Sequence, residues 1–370
     1  MAHDLWLLTL AVVFVTINGL TQLSYAYSMG FKMKPTGLAF AVASIIGFIT
    51  NSVTPLSGQA AMLMVSGKIA KLSERVAALL LTSIVLVLLG IFGLITSTVQ
   101  FAGMAVMFGM MAGVGLMLAE VGAVAMYQSN KRTAILSMIS ALILWGWTRD
   151  LVYTVAGSVA ISTLDYLFIQ KKRVDLKELG EQTESAKFWT KEYWSSEDWQ
   201  LIKPEFNTTS ILGALSLLSL SIGVTSSFGT INGNISGLPQ NLDALTLTTG
   251  LANIPSILFA GAPLASIISG TSAAPTPVLG ATLVMILLGV LLIIGLVVKI
   301  CKYIPYESIA GFLVVIGMFS TFIPNATNAF ATGDIAQAAV AMGATVITKN
   351  PFVGMLLGIL VRYIGGFFGI

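Results

Sequence analysis

Two short stretches decide the fold: residues 55–61, Pro-Leu-Ser-Gly-Gln-Ala-Ala, and residues 263–269, Pro-Leu-Ala-Ser-Ile-Ile-Ser. Each lies near the start of the third apolar segment in its half of the chain, at about 54–68 and 260–273. Both segments are shorter than the ~20 residues that a helix needs to cross a bilayer. Proline suits the first turn of a helix, because the donor it lacks would be unpaired there anyway. The pattern predicts two broken half-helices inside a membrane.

The composition identifies the class of protein. Charged residues make up 9% of the 370 residues and hydrophobic residues 56%, with a mean hydropathy of +0.91, whereas soluble domains carry about 25% charged residues. This excludes a soluble enzyme, a nucleic-acid-binding protein and a disordered chain, and it predicts an all-α polytopic protein whose partner is the lipid bilayer. With a single cysteine and a single histidine, we expect no disulfide, no metal site and no cofactor.

One segment, residues 171–205, breaks the apolar pattern. It holds seven Lys or Arg, eight Asp or Glu, and three tryptophans. Two interpretations stay open: a partly helical segment at the membrane interface, where Trp is favoured, or a solvated connector. The segment divides the chain into residues 1–170 and 206–370, and each part contains seven apolar segments.

The two parts carry a faint sequence echo. Residues 36–39 and 249–252 both read Thr-Gly-Leu-Ala, and the Pro-Leu pairs at 55 and 263 follow in the same order. With an odd number of crossings in each part, two copies must lie in opposite orientations. Inverted repeats with broken helices are typical of secondary transporters, whose binding site lies at the membrane midplane where the broken segments meet.

Several stretches resemble the uracil/xanthine/purine permeases, most closely their adenine/guanine/hypoxanthine branch. They include Met-Lys-Pro-Thr-Gly-Leu-Ala-Phe-Ala-Val-Ala-Ser at 33–44, Ser-Phe-Gly-Thr-Ile at 227–231, and residues 55–61, 303–317 and 334–361. Sulfate-permease-type anion carriers share that fold. The resemblance implies seven-plus-seven inverted topology, a core domain and a gate domain, a nucleobase-like solute, and a homodimer.

The departures from this family leave the solute open. The family's eighth helix carries an acid that contacts the base and links transport to protons, but residues 222–230 contain none. The tenth segment offers only Ser266 and Ser269 where the family has a polar contact to the base. A small planar solute, nucleobase-like or not, and a small anion therefore remain candidates, as does proton symport.

The candidate site follows from the half-helices. A helix that begins in mid-membrane exposes unpaired N–H groups and the positive end of its dipole. Gln59 is the strongest candidate, because an amide at that depth needs partners and can both donate and accept. The full set is Ser57, Gly58 and Gln59 at the first end, Ala265, Ser266 and Ser269 at the second, Thr225, Ser226 and Ser227 from segment eight, and Gln22 and Tyr25 from segment one. The alternative is that the small polar residues only pack helices together.

Ionisable residues inside apolar segments are functional candidates by default. Glu120 lies within a glycine- and methionine-rich run and is a candidate coupling or gating acid. Glu307 and Asp334 are expected in the first turns of helices, where an acid favours the helix dipole, and Asp165 is expected at the interface. The sequence contains no His pair, acid cluster or nucleophile constellation, so we expect no enzyme activity.

Orientation follows from the basic residues. When the loops are numbered by the segments that they join, all Lys and Arg residues except Arg149 and Arg362 lie on the same side of the membrane as the 171–205 linker. The positive-inside rule therefore predicts a cytoplasmic linker and external termini in a plasma membrane, which we expect to be prokaryotic. The permease resemblance implies internal termini instead, and here the charges weigh more.

Three functions are compatible with these features. The leading hypothesis is a secondary transporter of a small planar or anionic solute, most simply a nucleobase, that works by alternating access between core and gate. An anion carrier is the nearest alternative. A non-transporting membrane subunit or sensor on a degenerate permease scaffold is the alternative from another class, favoured by the charged linker and by the missing acid in segment eight.

Overall fold

A computed structural model describes residues 2–67, 69–170, 199–297 and 305–368. The first repeat is helical except for one short strand. Its elements are α1 (Ala2–Ser28), α2 (Met33–Ile49), β1 (Leu56–Gly58), α3 (Ala60–Gly67), α4 (Leu72–Ile91), α5 (Leu94–Ala102), α6 (Met104–Glu120), α7 (Met126–Ser129), α8 (Lys131–Thr148) and α9 (Leu151–Asp165). Two π-helical stretches, Val121–Ala125 and Tyr166–Gln170, extend α6 and α9.

The second repeat has the same plan. Its elements are α10 (Thr208–Ser236), α11 (Leu242–Ile257), β2 (Leu264–Ser266), α12 (Pro277–Ile293), α13 (Ala310–Val315), α14 (Ile323–Ala331), α15 (Ile335–Thr348) and α16 (Pro351–Phe368). A π-helical stretch, Ile316–Phe322, joins α13 to α14, so the three form one long gate helix. Single 3-10 turns cover Gly270–Ala273 and Tyr306–Ile309.

The helices have the length and apolarity of membrane spans. Among the described residues, 6 helices are long and apolar enough to cross a bilayer, and four shorter apolar helices accompany them. Together with α8, α11 and the two broken segments, they make up seven segments in each repeat. The prediction of an all-α multi-pass membrane protein with seven-plus-seven topology is confirmed.

The broken segments differ from the predicted half-helices in detail. Pro55 and Pro263 each precede a three-residue strand, and β1 and β2 pair antiparallel, with Ser57 opposite Ala265. A half-helix follows only β1, as α3, while β2 leads into the 3-10 turn Gly270–Ala273. The prediction of a half-helix in segment ten is therefore corrected. The extended backbone there is satisfied by the other broken segment and by side chains of neighbouring helices.

We call residues 2–102 and 208–297 the core domain and residues 104–170 and 305–368 the gate domain. Packing within the core domain shows the internal two-fold relation. Helix α2 packs against α12, and α4 packs against α11; exchanging the repeats turns one pair into the other. Both contacts are made by glycines. A Cβ added at Gly37 would lie 3.0 Å from the Gly289 carbonyl, and one at Gly250 would lie 2.7 Å from the Ser83 carbonyl. Small residues let the backbones of membrane helices approach closely.

The gate domain contains a close crossing of two helices. Helix α6 meets the long gate helix of the second repeat where Gly115 faces Gly317. A Cβ added at either glycine would lie 2.6 Å from the carbonyl oxygen of the other. The contact is reciprocal, as expected of equivalent positions in two inverted copies. Each helix changes from α to π geometry close to this crossing, and such π segments are frequent at functional sites.

Segment four ends earlier than the apolar run suggests. Helix α4 stops at Ile91, the chain turns at Gly93 with a φ of +66°, and α5 follows. A residue of the second repeat holds this turn in place. Asp243 Oδ1 accepts hydrogen bonds from the N–H groups of Ile95 and Thr96 at 3.0 and 3.1 Å. A carboxylate at a helix N-terminus satisfies donors that lack intrahelical partners.

The described end of the linker is attached to the core domain. Trp199 packs edge-on against Phe259, and Glu205 forms an ion pair with Lys71 at 2.6 Å. The hydrogen bond from the Lys71 ammonium lowers the pKa of the Glu205 carboxyl and raises that of Lys71. The other two linker tryptophans, Trp189 and Trp194, lie outside the described residues, so their interfacial location stays a prediction.

The acids noted in the sequence take up different environments. Asp165 forms an ion pair with Arg132 at 2.7 Å, which anchors the end of α9 to the start of α8. Asp334 holds the N-cap position of α15 without a side-chain cap bond. Glu307 is buried in the 3-10 turn before α13 and accepts a hydrogen bond from the Ser129 hydroxyl.

Candidate functional site

Two buried asparagines hold strand β2 in place. Asn253 Nδ2 donates to the Leu264 carbonyl and Asn253 Oδ1 accepts the Leu264 N–H, both at 2.8 Å. Asn232 acts beyond the other end of the strand: its Nδ2 donates to the Ile267 carbonyl at 2.8 Å, and its Oδ1 accepts the Ser269 N–H at 3.1 Å. An unpaired backbone group in a membrane interior costs several kcal/mol. These amides make irregular backbone possible at this depth.

The turn before β1 is held in the same manner. Gln240 Oε1 accepts the Val53 N–H at 3.0 Å and the Ser52 hydroxyl at 3.2 Å. The Ile267 N–H donates to the Pro55 carbonyl at 3.2 Å, which extends the pairing of the two strands. The broken segments therefore form one rigid unit, and Gln59 is positioned directly before α3.

A cavity of about 160 Å³ lies beside this unit, between the core and gate domains. Its core wall comes from α1, α10 and the residues around the strands, and its gate wall comes from α6, the 306–322 stretch and the α15–α16 turn. The lining residues are Asn18, Gln22, Gln59, Leu220, Val224, Phe228, Ile267 and Ile268 on the core side and Val114, Met117, Leu118, Val121, Ile309, Phe312, Leu313, Ile316, Lys349 and Pro351 on the gate side.

Two amides supply free hydrogen-bonding capacity in this cavity. The Oε1 atoms of Gln22 and Gln59 are buried and have no hydrogen-bond partner. Gln59 immediately precedes α3, whose first N–H groups and positive dipole end lie beside it. Each glutamine amide can donate two hydrogen bonds and accept two. An otherwise apolar wall with a few convergent polar groups is the usual construction of a small-molecule site.

The structure brings two of the candidate residues to the cavity, Gln22 and Gln59. The candidates on the strands do not line the cavity. The strand register places the two serines among them on opposite faces. Directly opposed residues share a face of a ribbon and successive residues alternate, so Ser57 and Ser266 point to opposite sides. Ser57 Oγ lies toward Gly19 of α1. Gly58 and Ala265 are buried and contribute backbone to this rigid unit.

Three of the remaining candidates make local hydrogen bonds. Ser269 caps the 3-10 turn through the Thr271 N–H. Ser226 and Ser227 donate to carbonyls one turn earlier in α10, and Thr225 is buried in the same helix. Tyr25 lies in α1, and its side chain is outside the described part of the chain. Solute contacts by residues away from the cavity stay predictions.

Three features of the cavity were not among the candidates. Asn18 lies one turn before Gln22 on α1, and its place in an apolar run is the signal that could have revealed it. Phe228 sits one residue beyond the candidate serines. Lys349 follows α15 with a φ of +54°. Nothing local in the sequence places this loop lysine at a cavity wall.

Glu120, the candidate coupling acid, forms an ion pair with Lys349. Both side chains are about half exposed, at 48% and 51%. Glu120 ends the α-helical part of α6, and the next residue, Val121, lines the cavity. The pair therefore lies at the rim of the cavity. A coupling role for Glu120 stays a prediction.

Comparison with known proteins supports the fold. No protein-family profile matches the sequence, and no curated protein matches it. Among solved structures, the chain is similar to the transmembrane domain of a cyanobacterium bicarbonate transporter, BicA, with a TM-score of 0.50 and 17% identity over 93% of this chain and 96% of that one. It is also similar to SLC26A9, with a TM-score of 0.50 and 12% identity over 96% of this chain and 66% of that one.

These likenesses show a shared architecture. The chain has the inverted-repeat fold of these two structures, as expected from the fold shared with sulfate-permease-type anion carriers. At 17% and 12% identity they do not extend to substrate. The closer resemblance to nucleobase permeases stays a prediction from the sequence.

Proposed function

We propose that the chain is a secondary transporter that carries a small anion by relative movement of its core and gate domains. The observation that carries this proposal is the cavity itself. It lies between the two domains, beside the paired broken segments, and residues from both repeats line it. A solute bound there contacts both domains, so movement of one against the other changes its access.

The size of the cavity supports a small solute. A dry protein cavity of ~150 Å³ accommodates benzene, and this cavity measures about 160 Å³. A solute with a few non-hydrogen atoms therefore fits, provided that it can satisfy the amides of Gln22 and Gln59.

The charges support an anion. Of the described residues that line the cavity, Lys349 alone carries a charge, and no acid faces the solute from the wall. The N-terminus of α3 adds a partial positive charge beside Gln59. One of the two similar structures, BicA, is a bicarbonate transporter, which is consistent with this choice.

A neutral planar solute such as a nucleobase is the second candidate. The partnerless atoms of Gln22 and Gln59 are carbonyl oxygens, which suit a ligand with N–H donors. Phe228 and Phe312 add aromatic surface to the wall. A homodimer and proton symport are further predictions from the sequence that this proposal does not require.

Substituting Gln59 by alanine is expected to weaken anion binding about 10- to 100-fold, because a hydrogen bond from the Gln59 Nε2 amide group to a charged solute contributes about 1.5–3 kcal/mol. The measurement is calorimetric titration of the purified protein with formate, nitrate, sulfate and uracil, followed by counterflow in liposomes. Gln22→Ala is expected to act in the same direction.

Gln337→Ala is the matched control, since Gln337 lies on α15, also has a partnerless Oε1, and is not part of the cavity wall. Binding of uracil alone would select the nucleobase function. Binding without flux in liposomes would favour the non-transporting sensor or subunit. Absence of binding by the whole panel would contradict the proposal.

A further inference from the structure

Lys349 is presented to the cavity by a well-anchored turn. The turn between α15 and α16 places Lys349 in a left-handed conformation. Next to it, Asn350 Nδ2 donates to the Ser219 hydroxyl of α10 at 2.9 Å, and Asn350 Oδ1 accepts the Phe352 N–H at 3.0 Å. A Cβ at Gly223 of α10 would lie 2.4 Å from the Phe352 nitrogen, so the turn lies directly against the core domain. In this structure, these contacts with α10 hold the backbone that carries the ammonium at the cavity wall.

The partner of this ammonium comes from another helix. Glu120 reaches Lys349 from α6, and each side chain remains about half exposed. Ion pairs that are exposed to water contribute only about 0.2–1 kcal/mol. The Glu120 carboxylate can therefore leave Lys349 at little cost when another anion replaces it.

We propose that the Glu120 carboxylate occupies the place that the solute takes on Lys349, and that the solute is a planar, singly charged oxyanion. This inference rests on the proposed function and deepens it. The Glu120 carboxylate indicates which group that position accepts: a flat group with two or more equivalent oxygens and one negative charge. Formate, acetate, hydrogen carbonate and nitrate share that description.

Charge balance distinguishes this class from divalent anions. With one lysine in the described wall and the displaced Glu120 still on the neighbouring turn of α6, a monovalent solute brings two negative charges near one ammonium. A sulfate dianion brings three, and like charges that share a site disfavour each other. A neutral solute has no charge with which to attract the Lys349 ammonium, so it does not displace Glu120. The geometry thus favours planar monovalent anions over both alternatives.

The test is calorimetric titration of the full-length protein with formate, sulfate and uracil at constant ionic strength. Glu120→Gln removes the competing charge and is expected to tighten formate binding about 2- to 5-fold, the range that an exposed ion pair supplies. Lys349→Gln is expected to weaken formate binding about 10-fold or more, because it removes a charge-assisted hydrogen bond. Lys349→Arg should restore most of the affinity.

The double variant Glu120→Gln/Lys349→Gln decides whether the two residues act together. It should bind formate as weakly as Lys349→Gln alone, because removing a competitor has no effect once its target is gone. Asp334→Asn and Lys131→Gln are matched controls, since each changes a charge on α15 or α8 away from the cavity wall.

Three results would overturn the inference. Unchanged or weaker formate binding by Glu120→Gln would show that Glu120 is not a competitor. Formate binding that is lost with Gln59→Ala but is insensitive to Lys349→Gln would leave the proposed transporter standing without this site. Tight binding of uracil alone would show that the solute is not an anion. It would leave only the transporter of a neutral planar solute as the proposed function.

Discussion

Asn253→Ala is expected to destabilise the protein by about 2–6 kcal/mol, enough to prevent recovery of folded material. The substitution leaves both the N–H and the carbonyl of Leu264 buried without a partner, and each orphaned group costs about 1–3 kcal/mol. The two lost hydrogen bonds hold β2 in place, and the pairing of β2 with β1 joins the two repeats. The measurement is thermal unfolding of detergent-solubilised protein, together with its elution profile by size-exclusion chromatography.

Asn234→Ala is the matched control, because Asn234 is an exposed asparagine on α10, whereas Asn253 is buried. Asn253→Asp loses the donor to the Leu264 carbonyl and, when ionised, places a buried charge beside that oxygen, so it should be no more stable than Asn253→Ala. A native melting temperature for Asn253→Ala would show that water or backbone rearrangement satisfies β2 without the amide.

Gly317→Val is expected to abolish transport. A Cβ there would lie 2.6 Å from the Gly115 carbonyl and 2.7 Å from the Ala119 nitrogen, both backbone atoms. The two gate helices would have to separate, and overpacking of this kind costs about 1–3 kcal/mol or more. Because both helices line the solute cavity, the separation displaces Met117 and Ile316 from its wall. Counterflow in liposomes measures the loss, and solute titration measures the change in affinity.

Gly115→Val is the symmetric test and should give the same result, since the contact is reciprocal. Gly343→Ala and Gly146→Ala are the controls, because an added Cβ at either position meets nothing within 4 Å. Normal transport by both valine variants would mean that this crossing is not fixed during the transport cycle.

Much of the architecture could be predicted from composition and order alone. Apolar runs identify membrane segments because lipid imposes length and hydrophobicity on any helix that crosses it. The charged 171–205 stretch and the odd segment count then predict two inverted parts, and the order of helices agrees. Hydropathy does not show where a helix bends: the turn at Gly93 is held by the contact of Asp243 with the start of α5.

The strands could not be predicted for a related reason. Pro55 and Pro263 correctly mark interruptions, but a three-residue strand has no periodicity of its own, and its partner is remote in sequence. Local rules therefore favoured two proline-led helix starts. Segment ten instead remains extended because Asn253 and Asn232 satisfy its backbone.

Within the site, Gln59 and Gln22 were accessible to sequence reasoning because an amide in an apolar segment requires partners. Lys349 was not. It belongs to a short loop, and its approach to Glu120 and to the cavity depends on how α15 packs against α6. Tertiary contacts of this kind leave no mark in the neighbouring sequence.

The pairing of β1 with β2 has a consequence for how the protein is made. The strands are roughly 200 residues apart, and at about 5–20 residues per second the ribosome needs on the order of 10–40 s to reach the second after the first. During that interval the polar backbone of residues 56–58 has no strand partner, and lipid cannot supply one. We therefore expect water or other protein to shield residues 56–58 from lipid until the second repeat has been made.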